Sequence, residues 1–143
     1  MKIFLDTSSL FKLYHIEDGT EQLIDLFKNN SIETAFLSEI TKIEFDSVVW
    51  KKFRKNEIEE EKVIRIIKSF ENDSKKFSFI KDNSQLKKSA KGLISRYGKA
   101  GLRTLDSIQL SSAISIKDFT DLYLTSDKLL QKLFELEGLK TIK

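Results

Sequence analysis

The sequence predicts a single α/β domain built on a mainly parallel central sheet of four to five strands that is flanked by helices. Short apolar segments typical of buried strands alternate with longer segments whose apolar residues recur every three or four positions. No repeat, low-complexity tract or linker interrupts this alternation, and 143 residues is the size of one domain. We therefore expect residues 1–143 to form one domain, with helices on both faces of a parallel sheet.

Four short apolar segments are predicted as strands: Lys2–Leu5, Thr34–Leu37, Phe77–Ile80 and Leu122–Thr125. Leu139–Ile142 is a candidate fifth strand at an edge of the sheet. In open parallel sheets, ligands bind beyond the carboxyl ends of the strands. The residues that directly follow these strands are therefore the first place to look for chemistry.

Helices are predicted where apolar residues recur at helical spacing after a residue that can cap a helix. The first two follow Asp6-Thr7-Ser8 and Gly19-Thr20. The others are predicted from Ser38 as N-cap to about Lys55, around Val63–Phe70, from Ser84 to Tyr97 with Gly98 as C-cap, from Thr104 as cap through Lys117, and from Ser126 to Glu135 before Gly138.

The composition excludes several kinds of chemistry. Hydrophobic residues make up 40% of the chain and charged residues 33%, as in a globular protein. With no Cys and only His15, the chain offers no disulfide, no thiolate catalysis, no cysteine-bound zinc and no pair of imidazoles. No apolar run approaches the roughly 18 residues of a membrane span and no signal segment is recognised, so a cytoplasmic protein without membrane contact is expected.

The net charge of +3 conceals an uneven distribution along the chain. Residues 1–50 carry 4 basic and 9 acidic side chains, residues 51–100 carry 15 and 7, and residues 101–143 carry 6 of each. A basic middle between segments with isolated acids suits a polyanionic substrate, whose phosphates attract cations. Solvated faces of Lys- and Glu-rich helices explain the same pattern, and charge alone favours that alternative.

Two acids directly follow predicted strands. Asp6 comes after the first strand and Asp127 lies just beyond the fourth, at the positions where parallel sheets bind ligands. Each also has an ordinary structural explanation. Asp6 can serve as a helix N-cap, and Asp127 can be a first-turn acid that the helix dipole favours. Neither acid alone decides between a structural and a functional role.

Two further acids lie inside predicted helices, where propensity does not explain them. Glu44 is expected on a face with Ile40, Ile43, Ser47 and Val48, and Asp106 on a face with Leu102, Gln109, Leu110 and Ala113. A carboxylate on an apolar face costs several kcal/mol to desolvate unless a partner compensates its charge. The partner is either an arginine, for which Arg103 is nearest to Asp106 in sequence, or a bound cation.

A doubly wound fold can bring Asp6, Glu44, Asp106 and Asp127 to one edge of the sheet. Four carboxylates in one cleft repel one another and raise one another's pKa values, so the cluster requires a cation. Ligands that are all oxygen select hard ions, Mg²⁺ or Mn²⁺, rather than zinc or copper. Such ions bind phosphate and activate water, which leads to hydrolysis of phosphodiester bonds.

With these acids in their contexts, the chain resembles a PIN-domain protein of the kind found as the toxin of VapBC toxin–antitoxin pairs. The resemblance covers nearly the whole chain and rests on four stretches: Ile3–Leu10, Ser38–Phe45, Gly101–Ser107 and Leu124–Lys128. It implies that Asp6, Glu44, Asp106 and Asp127 are the metal-binding acids of a Mg²⁺- or Mn²⁺-dependent endoribonuclease. It also implies an RNA substrate, a homodimer and a cognate antitoxin encoded beside the protein.

Other functions fit the sequence less well. A haloacid-dehalogenase-like phosphatase needs a second Asp where Ser8 stands, and a receiver domain needs paired acids after the first strand. No glycine-rich loop precedes Lys and Ser or Thr, which excludes a P-loop. The rival that remains open is a non-catalytic PIN-like module that binds RNA or a protein partner.

Residues near the four acids have possible supporting roles. Thr7, Ser8 and Ser126 either bond the site carboxylates or water, or serve as caps. Arg103 is a candidate to pair with a site acid and hold it in position. A basic cluster interleaved with aromatic residues either contacts RNA or is a solvated helix end, and the second is favoured: Lys51, Lys52, Arg54 and Lys55 with Trp50 and Phe53.

Overall fold

A parallel sheet of four strands forms the centre of the computed structural model, which describes residues 1–142. The order across the sheet is β3-β2-β1-β4, and every neighbouring pair is parallel. The strands are β1 (Lys2–Leu5), β2 (Thr34–Ser38), β3 (Ser78–Ile80) and β4 (Leu122–Leu124). The prediction of a mainly parallel α/β sheet is confirmed.

Among residues 1–142, seven α-helices flank the sheet, and three short 3-10 turns connect some of them. The helices are α1 (Thr7–Phe11), α2 (Thr20–Asn29), α3 (Thr41–Arg54), α4 (Glu60–Asp73), α5 (Ser84–Tyr97), α6 (Thr104–Ser115) and α7 (Lys128–Leu136). None of the helices within residues 1–142 is both long and apolar enough to cross a membrane.

The central strand β1 positions Asp6, the acid that directly follows it. Its residues Ile3, Phe4 and Leu5 are fully buried, because helices cover both faces of the sheet. Ile3 and Leu5 belong to one hydrophobic cluster and Phe4 belongs to the other. At the carboxyl end of β1, the backbone amide of Asp6 donates to the carbonyl oxygen of Leu124 at 3.1 Å. The loops that follow β1 and β4 therefore begin side by side.

The predicted cap at Ser38 is wrong. Ser38 is the last residue of β2, where it is aligned with Ile80 of β3, and Ile40 occupies the N-cap position of α3. The strand continues because the backbone amide of Glu39 still bonds the carbonyl oxygen of Ile80 at 2.9 Å. Ser38 is fully buried, and its hydroxyl accepts a hydrogen bond from Ser112 at 2.8 Å.

Two other helices differ from the prediction by one or two residues at their ends. Arg103, not Thr104, is the N-cap residue of α6, and α7 begins after Asp127 rather than at Ser126. In α7 the reason is that the Asp127 side chain caps the helix itself. Helix α6 ends at Ser115, two residues short of its expected end, because the chain tightens into a 3-10 turn.

The candidate fifth strand is not a strand within the described residues. It contributes a single parallel bridge between Tyr123 and Thr141, supported by a hydrogen bond from the Tyr123 amide to the Lys140 carbonyl oxygen at 2.9 Å. The last residue, Lys143, lies outside the described part of the chain. The sheet of residues 1–142 therefore has four strands, the lower end of the predicted range.

Candidate active site

Asp6 is nearly enclosed at the carboxyl end of β1, with 4% of its surface exposed. Its Oδ1 caps α1 by accepting a hydrogen bond from the Ser9 amide at 2.9 Å, which confirms the capping interpretation. The Ser8 hydroxyl lies 2.8 and 2.9 Å from its two carboxylate oxygens, and the Thr125 hydroxyl donates to Oδ2 at 2.5 Å. Burial raises the pKa of Asp6 to about 6, although these hydrogen bonds act in the opposite direction.

Asp127 lies beside Asp6 because the loops after β1 and β4 are bonded to each other. The Asp127 amide donates to Thr125 Oγ1 at 3.0 Å, and the same hydroxyl donates to Asp6. The Asp127 side chain is exposed at the start of α7, where its Oδ1 accepts from the Leu130 amide at 2.7 Å. Asp127 is therefore a cap as well as a neighbour of Asp6.

Asp106 lies half-buried in the first turn of α6. Its pKa is raised first by burial and then by the negative charges of Asp127 and Glu44, while the charge of Arg103 lowers it. Asp127 and Glu44 are therefore each close enough to Asp106 to repel its charge. Arg103 is exposed, and no salt bridge within residues 1–142 joins it to Asp106, so the ion-pair alternative lacks support.

Glu44 lies on α3, but the face predicted for it is wrong. Ile43, expected on the apolar stripe, is 72% exposed. The buried face of α3 consists of Thr41, Phe45 and Val49. Glu44 is half-buried at the boundary of that face, where it approaches Asp106. Its carboxylate accepts hydrogen bonds from the neutral side chains of Thr7 and Gln109, whereas the sequence suggested an arginine or a bound cation as the partner.

Those donors form a network that the sequence does not reveal as a unit. Glu44 Oε1 accepts from the Thr7 hydroxyl at 2.5 Å and from Gln109 Nε2 at 3.0 Å. Gln109 Nε2 also lies 3.1 Å from Thr7 Oγ1 and 3.0 Å from Thr41 Oγ1. The available signal for Gln109 is its spacing, three residues beyond Asp106 on the same predicted face. Nothing in the sequence indicates Thr41.

The basic cluster at the end of α3 is only partly free to contact a ligand. Lys52 forms salt bridges with Glu17 at 3.5 Å and Glu57 at 3.1 Å. The rings of Trp50 and Phe53 pack edge to face, 5.6 Å apart. Lys51, Arg54 and Lys55 are exposed, as expected for a solvated helix end.

The acids do not form a closed cage. Within the described residues, no group of three or more His, Asp or Glu side chains is arranged tightly enough to hold a metal ion by itself. The four acids instead lie in neighbouring segments at the carboxyl edge of the sheet. Asp6 and Asp127 are joined through Thr125, and Asp106 lies near Asp127 and Glu44. We refer to this group of four acids as the acidic cleft.

The parallel sheet with helices on both faces, and the acids gathered at its carboxyl edge, define an α/β protein with an acidic surface at the ends of its strands. The model of the PIN domain family matches residues 3–133, and the chain belongs to that family. No curated protein sequence matches the chain.

Solved structures of other proteins share the fold. VapC20 from Mycobacterium tuberculosis, a toxin that cleaves the sarcin–ricin loop, has a TM-score of 0.68 and 12% identity over 92% of this chain and 94% of its own. FitAcB from Neisseria gonorrhoeae has a TM-score of 0.70 and 14% identity, with coverages of 99% and 96%. VapBC2 from Rickettsia felis, bound to a promoter DNA fragment, has a TM-score of 0.66 and 15% identity, with coverages of 99% and 98%. At these identities the likeness shows the fold.

Removing one charge from the cleft tests the repulsion. Asp106→Asn is expected to leave the protein in EDTA equally stable or to raise its Tm by up to about 4 °C, because an uncharged amide at this position no longer repels Glu44 and Asp127. Thermal unfolding followed by circular dichroism measures this, with the exposed Asp118→Asn as control. A fall of several degrees for Asp106→Asn alone would show that the carboxylate has a stabilising partner.

The raised pKa of Asp6 predicts how stability changes with pH. Because its folded pKa of about 6 exceeds the ordinary value of 3.8, the protonated form favours folding, and this stability is lost as pH rises from 3.8 through about 6. In EDTA, the Tm of the wild type should fall across this interval, and the fall should be smaller by about 5 °C in Asp6→Asn. Equal slopes for the two proteins would contradict the assignment of this effect to Asp6.

Proposed function

We propose that this protein is a Mg²⁺- or Mn²⁺-dependent endoribonuclease that hydrolyses phosphodiester bonds in RNA. The observation that carries the proposal is the convergence of acids at one edge of the sheet: Asp127 and Glu44 both lie close enough to Asp106 to raise its pKa, and Asp127 is joined through Thr125 to the buried Asp6. Like charges are kept together at a cost in stability, and such a cost is typical of a functional site. Membership of the PIN domain family supports the same conclusion.

The residues present fit a hydrated hard cation. None of the salt bridges within residues 1–142 involves Asp6, Glu44, Asp106 or Asp127, and the one nearby cation that affects Asp106, Arg103, lowers its pKa less than burial and the other acids raise it. All their ligand atoms are oxygens, as Mg²⁺ and Mn²⁺ prefer. Mg²⁺ keeps several waters and is usually bound by one or two carboxylates together with substrate phosphates. An open arrangement of acids therefore suits this ion better than a closed cage.

In this mechanism, Asp6, Asp106 and Asp127 would hold the ion, with Glu44 as a further ligand or as the acceptor of one of its waters. A bound Mg²⁺ or Mn²⁺ would supply polarisation of the scissile phosphate and activation of water. The chain itself fixes the ligands. Ser8 and Thr125 hold the Asp6 carboxylate, and the hydrogen bond from the Asp127 amide to Thr125 joins the loop after β4 to Asp6. Desolvation of Asp6 strengthens its interaction with any cation that enters.

The biological role we propose is that of a cytoplasmic toxin in a toxin–antitoxin pair. The structures of VapBC2 from Rickettsia felis and of VapBC from Salmonella typhimurium, both bound to DNA, support it through the shared fold. A cognate antitoxin would then bind this chain, and the active form would be a homodimer. Co-purification with the product of a short adjacent gene, and sedimentation of the chain alone, test these two points separately.

The rival is a PIN-like module that binds RNA or a protein partner without cleaving RNA. The concentration of acids argues against it, because a module that only binds RNA gains nothing from carboxylates facing phosphates. Two measurements separate the candidates. The rival predicts that purified protein with Mg²⁺ leaves RNA intact, and that Asp6→Asn binds RNA more tightly.

Metal dependence is the first expectation for activity. Cleavage of an RNA substrate should stop in excess EDTA and return with Mg²⁺ or Mn²⁺, because the carboxylates of the cleft need a cation to approach a phosphate. Asp6→Asn should lower the rate by at least about 100-fold, the order of a lost transition-state interaction. Labelled RNA on a denaturing gel measures both, with Asp118→Asn as the control. Undiminished cleavage under strict chelation would contradict the proposed site.

The chemical ends of the products provide a second, independent expectation. With water as the nucleophile, the fragments should carry a 5′-phosphate and a free 3′-hydroxyl. Attack by the ribose 2′-hydroxyl needs a flanking base and acid, and the only imidazole is His15, packed against Phe11 with ring centres 5.5 Å apart. End-labelling identifies the termini. Fragments with 2′,3′-cyclic phosphates and 5′-hydroxyls would exclude water as the nucleophile.

A further inference from the structure

The side chain of Gln109 is unusual for its position in the protein. It is 1% exposed in the middle of α6, where its neighbours Leu110 and Ala113 are apolar and fully buried. Burying an amide costs several kcal/mol unless both of its ends are hydrogen-bonded. Only one end is: Oε1 has no hydrogen-bond partner among the described residues. Favourable packing in the core therefore does not explain why a glutamine occupies this position.

The other end of Gln109 is directed at the acidic cleft. Nε2 lies 3.0 Å from Glu44 Oε1, 3.0 Å from Thr41 Oγ1 and 3.1 Å from Thr7 Oγ1. The carboxylate identifies this end as the amide nitrogen, since an amide oxygen there would face a second oxygen that cannot donate. The two N–H groups of Gln109 thus serve Glu44 and the hydroxyl groups beside it.

The hydroxyl groups of Thr7 and Thr41 also direct their hydrogens toward Glu44. The Thr7 hydroxyl has a single hydrogen, which it donates to Glu44 Oε1 at 2.5 Å. Thr7 Oγ1 is then free to accept from the Thr41 hydroxyl, 3.0 Å away. Thr7 and Thr41 are buried, with 3% and 0% of their surfaces exposed. The hydrogen bonds of this network therefore all lead to one final acceptor, the Oε1 atom of Glu44.

We propose that Gln109 and Thr41 are positioning residues that fix the Glu44 carboxylate through Oε1 and leave Oε2 for a bound divalent cation. Among residues 1–142 no hydrogen bond occupies Oε2. The network joins α1, α3 and α6 through residues up to 102 positions apart in sequence. It thereby fixes the distance between Glu44 and Asp106, which lies one turn before Gln109 on α6. This inference rests on the proposed function, because it assigns Glu44 to a metal site.

Metal affinity measured by calorimetry tests the proposal without relying on activity. Gln109→Leu keeps roughly the same volume and removes the donors, and Thr41→Val removes only the hydroxyl. Each should weaken Mn²⁺ binding by about 10- to 100-fold, as is usual when an outer hydrogen-bond partner of a metal ligand is lost. Thr41→Ser, which restores the hydroxyl, should recover most of the affinity.

A matched control separates positioning from general damage to the core. Ser112 is fully buried one turn beyond Gln109 on α6, and its hydroxyl bonds Ser38 at 2.8 Å without contacting a site acid. Ser112→Ala should therefore lose stability while binding Mn²⁺ within about twofold of the wild type. If Ser112→Ala weakens Mn²⁺ binding as much as Gln109→Leu does, or if Gln109→Leu binds normally, the positioning role is overturned.

A double-mutant cycle in EDTA tests the contact itself. Gln109→Leu should increase the unfolding equilibrium constant at least about fivefold more in the wild type than in a Glu44→Met background, where the acceptor is already absent. Equal effects in both backgrounds would overturn the proposal. If the wild-type protein binds Mn²⁺ but leaves RNA intact, only the proposed ribonuclease activity is overturned. Wild-type protein that binds no Mn²⁺ overturns both claims.

Discussion

The parallel pairing of β1 with β2 on one side and β4 on the other is the constraint on which the site depends. Because parallel strands end at the same edge, the pairing delivers Asp6 and the loop after β4 to one place. The bond from the Asp6 amide to Leu124 extends the ladder by one residue and brings Thr125 within reach of the carboxylate. A register shift of one residue would move Leu5 to the opposite face of the sheet, into the cluster built around Phe4, and would separate these groups.

Local patterns in the sequence were sufficient to predict part of the structure. Strand β1, helix α5 and the acids at strand ends are indicated by apolar periodicity and capping chemistry, which involve residues close in sequence. The Ser38 cap and the face of Glu44 were wrong because tertiary contacts decided them. The bond from the Glu39 amide to Ile80 extends β2 past the expected boundary, and α3 buries the face next to the one its isoleucines suggested.

The polar network illustrates why part of the site could not be predicted. Its members come from α1, α3 and α6, and no spacing within one helix reveals that Thr41 lies 3.0 Å from Gln109. Such a network is stabilising only when its donors have acceptors, so Glu44 contributes to the core as well as to the cleft. The protein thus accepts repulsion of Asp106 by Asp127 and Glu44 while it holds Glu44 firmly. That combination of rigid anchoring and concentrated negative charge is suited to binding a cation in a fixed place.

The central claim is that these four carboxylates share one divalent-cation site. The most direct measurement is anomalous diffraction at the manganese edge from crystals of the wild-type protein soaked in MnCl₂. We predict an anomalous peak in the cleft within about 2.3 Å of at least one carboxylate oxygen of Asp6, Asp106 or Asp127, with Glu44 bound directly or through one water. A cleft without an anomalous peak, in crystals that bind Mn²⁺ elsewhere on the surface, would contradict this claim.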